Sequence, residues 1–193
     1  MEIQDKVILT DCDGVLLDWE YGFSRYMSRK GFKPVRNDTY SIGLLYDISK
    51  EWGKQHVRTF NESAAIGSLP PFRDAKKYVR KIHEEFGYVF HCLTSLSDDP
   101  HAYKLRLENL ENVFGKGVFE ELVCIGCGDD KDKILEPYRD SGCMWVEDKP
   151  ENAVTGANMG LDSVLITHLH NETFDDPSVR KVTDWRDIYE SIL

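Results

Sequence analysis

The chain has 193 residues with 24 Lys+Arg against 34 Asp+Glu, a formal net charge of -10. At roughly 150 residues per domain this is one domain, or one core with an insertion. No apolar run approaches the ~20 residues that span a bilayer, the N-terminus lacks the basic and long apolar regions of a signal peptide, and no Lys/Arg block offers a footprint for a nucleic-acid polymer. The expectation is therefore a cytoplasmic protein without a membrane or nucleic-acid partner. The acidic balance still permits a small anionic substrate, because one metal ion or cation can reverse the local field.

In chain order, Val7-Ile8-Leu9 is a short, β-branched apolar run ending in Thr10-Asp11-Cys12-Asp13-Gly14. It reads as a buried strand entering a tight turn. From residue 18 to 72 no buried strand is evident. Trp19, Phe23, Tyr26 and Met27 follow helical spacing, and 48–65 also looks helical. A stretch of about 55 residues is too long for an ordinary βα loop. It is read as a helical subdomain (18–72) inserted into a core formed by 1–17 and 73–193.

Beyond it, Ala75, Val79, Ile82 and Phe86 mark a helix, and Tyr88 to Leu93 a strand. Ala102, Leu105, Leu110 and Val113 mark the next helix, Leu122 to Ile125 a strand, and Ile134, Leu135 and Tyr138 a third helix. Strands follow at Cys143–Val146 and Val164–Ile166, and Asp184 N-caps a final helix. Gly156 and Gly160 mark a tightly packed helix and its exit turn. Strands that are almost continuously apolar, alternating with helices, predict an α/β fold with a doubly wound parallel sheet covered on both faces. The cysteines (five, an odd count) read as reduced thiols, mostly in the core, and Cys124-x-x-Cys127 has no second pair to complete a zinc site.

Ligands of such sheets bind outside the carboxyl ends of the strands. There the chain puts Asp11 and Asp13, then Thr94 and Ser95, then Lys131 and Lys133, then Glu147 and Asp148. Carboxylates so crowded repel unless a cation neutralises them, and hard oxygen ligands suit Mg²⁺. Magnesium with a lysine and hydroxyls makes a cradle for a phosphoryl group. An aspartate can then act as nucleophile, and a second carboxylate two residues on can serve as general acid and base.

Asp11-Cys12-Asp13-Gly14-Val15-Leu16, Leu93-Thr94-Ser95, a downstream lysine and Glu147-Asp148 resemble, in order, the four motifs of the haloacid dehalogenase superfamily. The resemblance implies a Rossmann-like core with a cap after the first strand. It implies Asp11 as nucleophile and metal ligand, and Asp13 as acid/base and, through its carbonyl, metal ligand. Thr94 or Ser95 and a lysine would bind phosphate, Asp148 would hold Mg²⁺, and Glu147 would act through a metal-bound water.

Within that superfamily, Asp13 to Phe23 (DGVLLDWEYGF) and Cys92-Leu93-Thr94-Ser95 resemble the 5'(3')-deoxyribonucleotidases, whose first motif reads DGVLADFEGGF. This family carries Asp-Asp where the chain has Glu147-Asp148, and its base-stacking aromatic falls on Trp19. Either Asp130-Lys131 or Asp132-Lys133 matches its Asp-Lys pair, and Lys133 is preferred because it directly precedes the apolar-periodic helix.

The expected activity is magnesium-dependent phosphomonoester hydrolysis through an aspartyl-phosphate, with a nucleoside monophosphate as substrate. The alternatives are a sugar phosphate or other small phosphometabolite, and, remotely, a phospho-aspartate receiver domain. The sequence leaves the oligomeric state open, a homodimer included.

Overall fold

The first strand, β1 (Val7–Thr10), is buried at all four positions, as a central strand covered on both faces must be. Val7 and Leu9 face one apolar cluster, with Trp145 and Leu135, while Ile8 faces the other, with Phe90 and Val146. That alternation is the two-residue period of a strand. The protein is described by a computed structural model covering residues 6–193; of the expected core segment 1–17, residues 1–5 lie outside the described residues.

β1 pairs in parallel with β2 (Val89–Ser95) on one side and β4 (Met144–Glu147) on the other. β3 (Phe119–Ile125) extends the sheet beyond β2, while β5 (Asp162–Ile166) and β6 (Arg180–Val182) extend it beyond β4. The order is β3-β2-β1-β4-β5-β6, parallel throughout, so the fold is the expected doubly wound α/β sheet. The direction of winding reverses between β1 and β4. A crevice opens at such a reversal, outside the strands' carboxyl ends.

Between β1 and β2 the chain forms α1 (Trp19–Arg29), α2 (Ile42–Tyr46), α3 (Lys50–Asn61) and a 3₁₀ turn (Ala64–Ser68). It leaves and returns side by side: the Asp18 amide donates to Pro70 O and the Phe72 amide to Leu16 O, both at 2.9 Å. α1 follows the expected apolar spacing and buries Phe23 and Met27. Phe23 stacks on Trp19 and meets Phe60 of α3 edge-on, at centroid distances of 4.5 and 5.5 Å. The helix expected over 48–65 starts only at Lys50, because Asp47 takes a left-handed φ of 51° that closes α2 and Ser49 then caps α3. A left-handed residue ends a helix.

Helices α4 (Ala75–Phe86), α5 (Pro100–Phe114), α6 (Asp132–Leu135), α7 (Pro150–Asn158) and α8 (Trp185–Ile192) complete the layers. Asp184 caps α8 as expected, its side chain accepting from the Arg186 and Asp187 amides. α6 is a single turn that passes into a 3₁₀ segment at Glu136–Tyr138; Pro137 has no amide to continue the ladder. β6 is absent from the sequence expectation because two of its three residues are basic. Among the described residues no helix is long and apolar enough to cross a membrane.

Gly156 lets α7 lie directly on the sheet. A Cβ there would stand 2.3 Å from Trp145 Cδ1 and 2.7 Å from Ser163 Oγ. Both neighbours are held in the core, so Gly156→Ala should cost about 1–3 kcal/mol of stability, read by urea denaturation. An unchanged midpoint would show that the helix can lift without penalty.

Candidate active site

β1 and β4 end side by side, and the Asp11 amide donates to Val146 O at 2.8 Å. This contact fixes Asp11 beside Glu147 and Asp148. A carboxylate oxygen from each lies within 4.8 Å of the others, and all three residues are buried. One lysine stands among them: Lys131 Nζ is 2.8 Å from Asp11 Oδ1 and 2.8 Å from Glu147 Oε1, with the side chain 2% exposed.

Lys133, the lysine expected here, lies exposed on α6 and is not brought to the cluster. The reason is helical phase. Residues four apart share a face, so Lys131 points the same way as buried Leu135, and Lys133 points away. The core position of Leu135 was visible in the sequence and would have selected Lys131.

The carboxylates are held differently. Glu147 is saturated: its oxygens accept from Lys131 Nζ, Asn152 Nδ2 and the amides of Asp148 and Lys149 at 2.6–2.8 Å. Burial raises its pKa, but Lys131 and these donors outweigh it, so Glu147 is held below the ordinary carboxylate range. Asp148 has no lysine of its own. Burial first, then the charges of Glu147 and Asp11, push its carboxyl well up, and Oδ1 is buried without a partner among the described residues. Asp11 is raised to about 6 by burial, with Lys131 opposing. A cluster with three carboxylates, one ammonium and an orphaned buried oxygen fits a hard divalent cation.

Gly14 fits closely against this group. Its φ is +77°, and a Cβ would meet Asp148 Oδ2 at 2.5 Å. Among the described residues Thr94, near the end of β2, is buried with Oγ1 unpartnered, whereas Ser95 is half-buried and its Oγ reaches Asp129 O at 3.5 Å. Of the two hydroxyls, Thr94 is the one left free.

Asp13 lies outside the trio. Both its oxygens are taken by Arg106 of α5, Nη1 at 2.6 Å and Nη2 at 3.0 Å. Trp19 is half-buried at the start of α1, stacked on Phe23 with its Nε1 donating to Asn61 Oδ1 at 2.9 Å. The structure thus brings Asp11, Asp148 and Lys131 together, with Asp13 near the turn and Trp19 in the aromatic cluster of α1 and α3.

The sequence reading did not assign three further residues here. His168 stacks between Phe72 and His170 at 4.8 and 5.1 Å, and its Nε2 lies 2.8 Å from Gly14 O. His170 Nε2 is 3.3 Å from Asp148 O, and its ring meets Tyr40 at 5.2 Å. Tyr40 is 60% exposed as a whole. Desolvation first, then the charges of Asp148, Asp11, Glu147 and Asp13, raise its phenol well above the ordinary range. Alternating His168 and His170 after an apolar strand was the available signal.

No family model matches the chain. A curated relative, an uncharacterized 32.4 kDa protein of Enterobacteria phage T4, is 27% identical over 140 residues, covering 69% of this chain. The match spans 49% of that protein, about half its length. Among solved structures, a haloacid dehalogenase-like hydrolase from Streptococcus pneumoniae superposes with a TM-score of 0.65 at 13% identity, covering 97% of this chain and 98% of that one. L-2-haloacid dehalogenase from Xanthobacter autotrophicus gives 0.64 at 10% identity, covering 98% of each chain. The HAD-hydrolase YfnB from Bacillus subtilis, bound to magnesium, gives 0.63 at 11% identity, covering 98% and 99%. The chain has the haloacid dehalogenase-like fold.

Two expectations follow. Lys131→Met strands buried carboxylates without their cation and should cost about 3–5 kcal/mol, while Lys133→Ala should stay within about 0.5 kcal/mol; urea melts of both variants test the assignment. The second concerns pH. Burial, opposed by the Gly14 carbonyl and aided by His170, lowers the His168 pKa from 6.5 to about 4. As pH falls through that interval the unfolded chain takes the proton first, so stability is lost between about 6.5 and 4. At about 1.4 kcal/mol per unit this amounts to up to about 3 kcal/mol. The stability advantage of wild type over His168→Phe should shrink by up to that amount across the interval, and a pH-independent difference would refute it.

Proposed function

We propose that the protein is a magnesium-dependent phosphomonoesterase working through an aspartyl-phosphate, with a nucleoside monophosphate as substrate. The observation that carries this reading is the buried trio of Asp11, Glu147 and Asp148 with Lys131, together with an Asp148 oxygen and, near the end of the adjacent strand β2, a Thr94 hydroxyl that have no partner among the described residues. Asp11 and Asp148, with the Asp13 carbonyl, would hold the cation, whose charge when bound offsets that of the carboxylates and of a phosphoryl group.

Asp11 attacks phosphorus, the ester P–O bond breaks, and the leaving oxygen takes a proton from Asp13. Asp13, now a carboxylate, takes a proton from water as the water attacks the phosphorylated Asp11 and releases phosphate. Lys131 and the Thr94 hydroxyl bind the phosphoryl oxygens. Asp13 is what favours phosphoryl transfer over dehalogenation, because a halide leaves as an anion and needs no proton.

The helices between β1 and β2, residues 18–72, serve in this reading as a cap over the part of the substrate that does not react. Trp19 would stack on the base and Tyr40 would close the site from above. The phosphate cradle touches only what all monoesters share, so selectivity belongs to the cap.

The test is phosphate release from a panel of nucleoside monophosphates, sugar phosphates and p-nitrophenyl phosphate, with and without Mg²⁺. Nucleotides should be the best substrates, chelation should abolish turnover, and Asp11→Asn should remove it while the fold persists. Turnover by freshly purified Asp11→Asn at the wild-type rate would refute the covalent mechanism. Activity on a sugar phosphate alone would overturn the nucleotide assignment and leave the chemistry intact.

A further inference from the structure

Arg106 is 0% exposed, yet its charge is not directed at the carboxylate trio. It lies on the inward face of α5 with Ala102, Asn109 and Leu110, all buried. Nη1 and Nη2 grip the two oxygens of Asp13 at 2.6 and 3.0 Å, Nη1 is also 2.9 Å from Cys12 Sγ, and Nε is buried without a partner among the described residues. Burying an ion pair is a poor way to gain stability, because desolvation offsets most of the attraction. A guanidinium fork does gain geometry, since two parallel hydrogen bonds fix the plane and rotamer of a carboxylate.

We infer that Arg106 is a positioning residue that holds Asp13 in the one orientation from which it can exchange a proton with the leaving oxygen. This rests on the phosphatase reading above. The neighbouring cluster explains why a clamp is needed. Asp11, Glu147 and Asp148 call for a cation, and an untethered carboxylate two residues from Asp11 would be drawn into that cation's shell. There its oxygens would be spent as ligands.

The fork occupies the lone pairs of Asp13 that face α5 and leaves the outer lone pair of each oxygen open. The side chain is 20% exposed, so that outer edge is accessible. A proton carried on it passes to the leaving oxygen as the P–O bond breaks and the Asp11–P bond forms. The guanidinium neither gives nor takes a proton.

The same helix ties this clamp to the end of the inserted segment. Asn109, three residues from Arg106, pairs with the Leu69 backbone through both its amide atoms, at 2.8 and 3.0 Å. The orientation of Asp13 is thereby referred to a fixed point of the scaffold.

The experiment compares wild type, Arg106→Lys and Arg106→Gln on substituted phenyl phosphates that differ in leaving-group basicity but little in size. Arg106→Lys keeps a buried positive charge and loses the fork; circular dichroism melts verify folding, and Arg106→Lys carries the test where Arg106→Gln does not fold. A misplaced acid matters only when the leaving oxygen needs a proton. kcat/KM should therefore fall about 10²-fold for phenyl phosphate but less than about threefold for p-nitrophenyl phosphate, which needs little protonation. In an Asp13→Asn background the Arg106 substitution should add no further leaving-group dependence. An equal fall on every ester, or additive effects in the double variant, would make Arg106 a packing residue and overturn the inference. A wild-type protein that releases phosphate neither from these esters nor from the nucleotide and sugar phosphate panel with Mg²⁺ refutes the phosphatase reading instead, and the inference with it.

Discussion

Three carboxylates buried within reach of one lysine are the constraint on which this site depends. Such a group cannot be placed by hydrophobic collapse, because each charge loses solvation on burial and repels its neighbours. It persists because the surrounding backbone is over-determined. β1 and β4 are central strands, packed on both faces, and the Asp11 amide is bonded to Val146 O across their ends. Glu147 is saturated by four donors and serves as the anchor of Lys131. What remains is the crowding of Asp11 and Asp148, which a bound cation would offset.

The elements around this group limit what can approach it. Gly14 leaves no room for a side chain against Asp148. His168 and His170 form a stacked pair beside it, and Asn171 Nδ2 donates to both Asp148 O and Ile166 O, at 2.7 and 2.9 Å. The loop after β5 is thereby bound to the loop after β4, and the cluster is walled on that side. On the other side Asn61 of α3 donates to Leu96 O at 3.0 Å and accepts from Trp19, joining the inserted helices to the end of β2. The inserted segment is thus attached next to Thr94, where a phosphoryl group would lie in the proposed reaction.

The two acidic groups of the first turn have separate environments although only Cys12 stands between them. Asp11 shares Lys131 with Glu147, whereas Asp13 has Arg106 to itself. Burial raises the pKa of both, opposed chiefly by Lys131 at Asp11 and by Arg106 at Asp13. Two carboxylates given different partners can take different roles, which a nucleophile and an acid/base require.

Much of this was legible in the sequence. Short apolar strands alternating with helices determined the parallel sheet, because strands covered on both faces must be apolar nearly throughout. Asp11, Asp13, Thr94, Glu147 and Asp148 could be placed at strand ends for the same reason, and the long strandless stretch from 18 to 72 corresponds to the helices between β1 and β2. Two features depended on tertiary structure. The place of Lys131 between Asp11 and Glu147 depends on strands far apart in the chain, although its helical phase with Leu135 was legible locally. Arg106 falls between Ala102 and Leu110 on the buried stripe of α5, but only the fold shows why a charge can be buried there, by bringing up Asp13 from 93 residues away in the chain. Sequence pattern assigns side chains to faces by their polarity, so a buried charge reads as an exposed one until the fold brings its counter-charge to it.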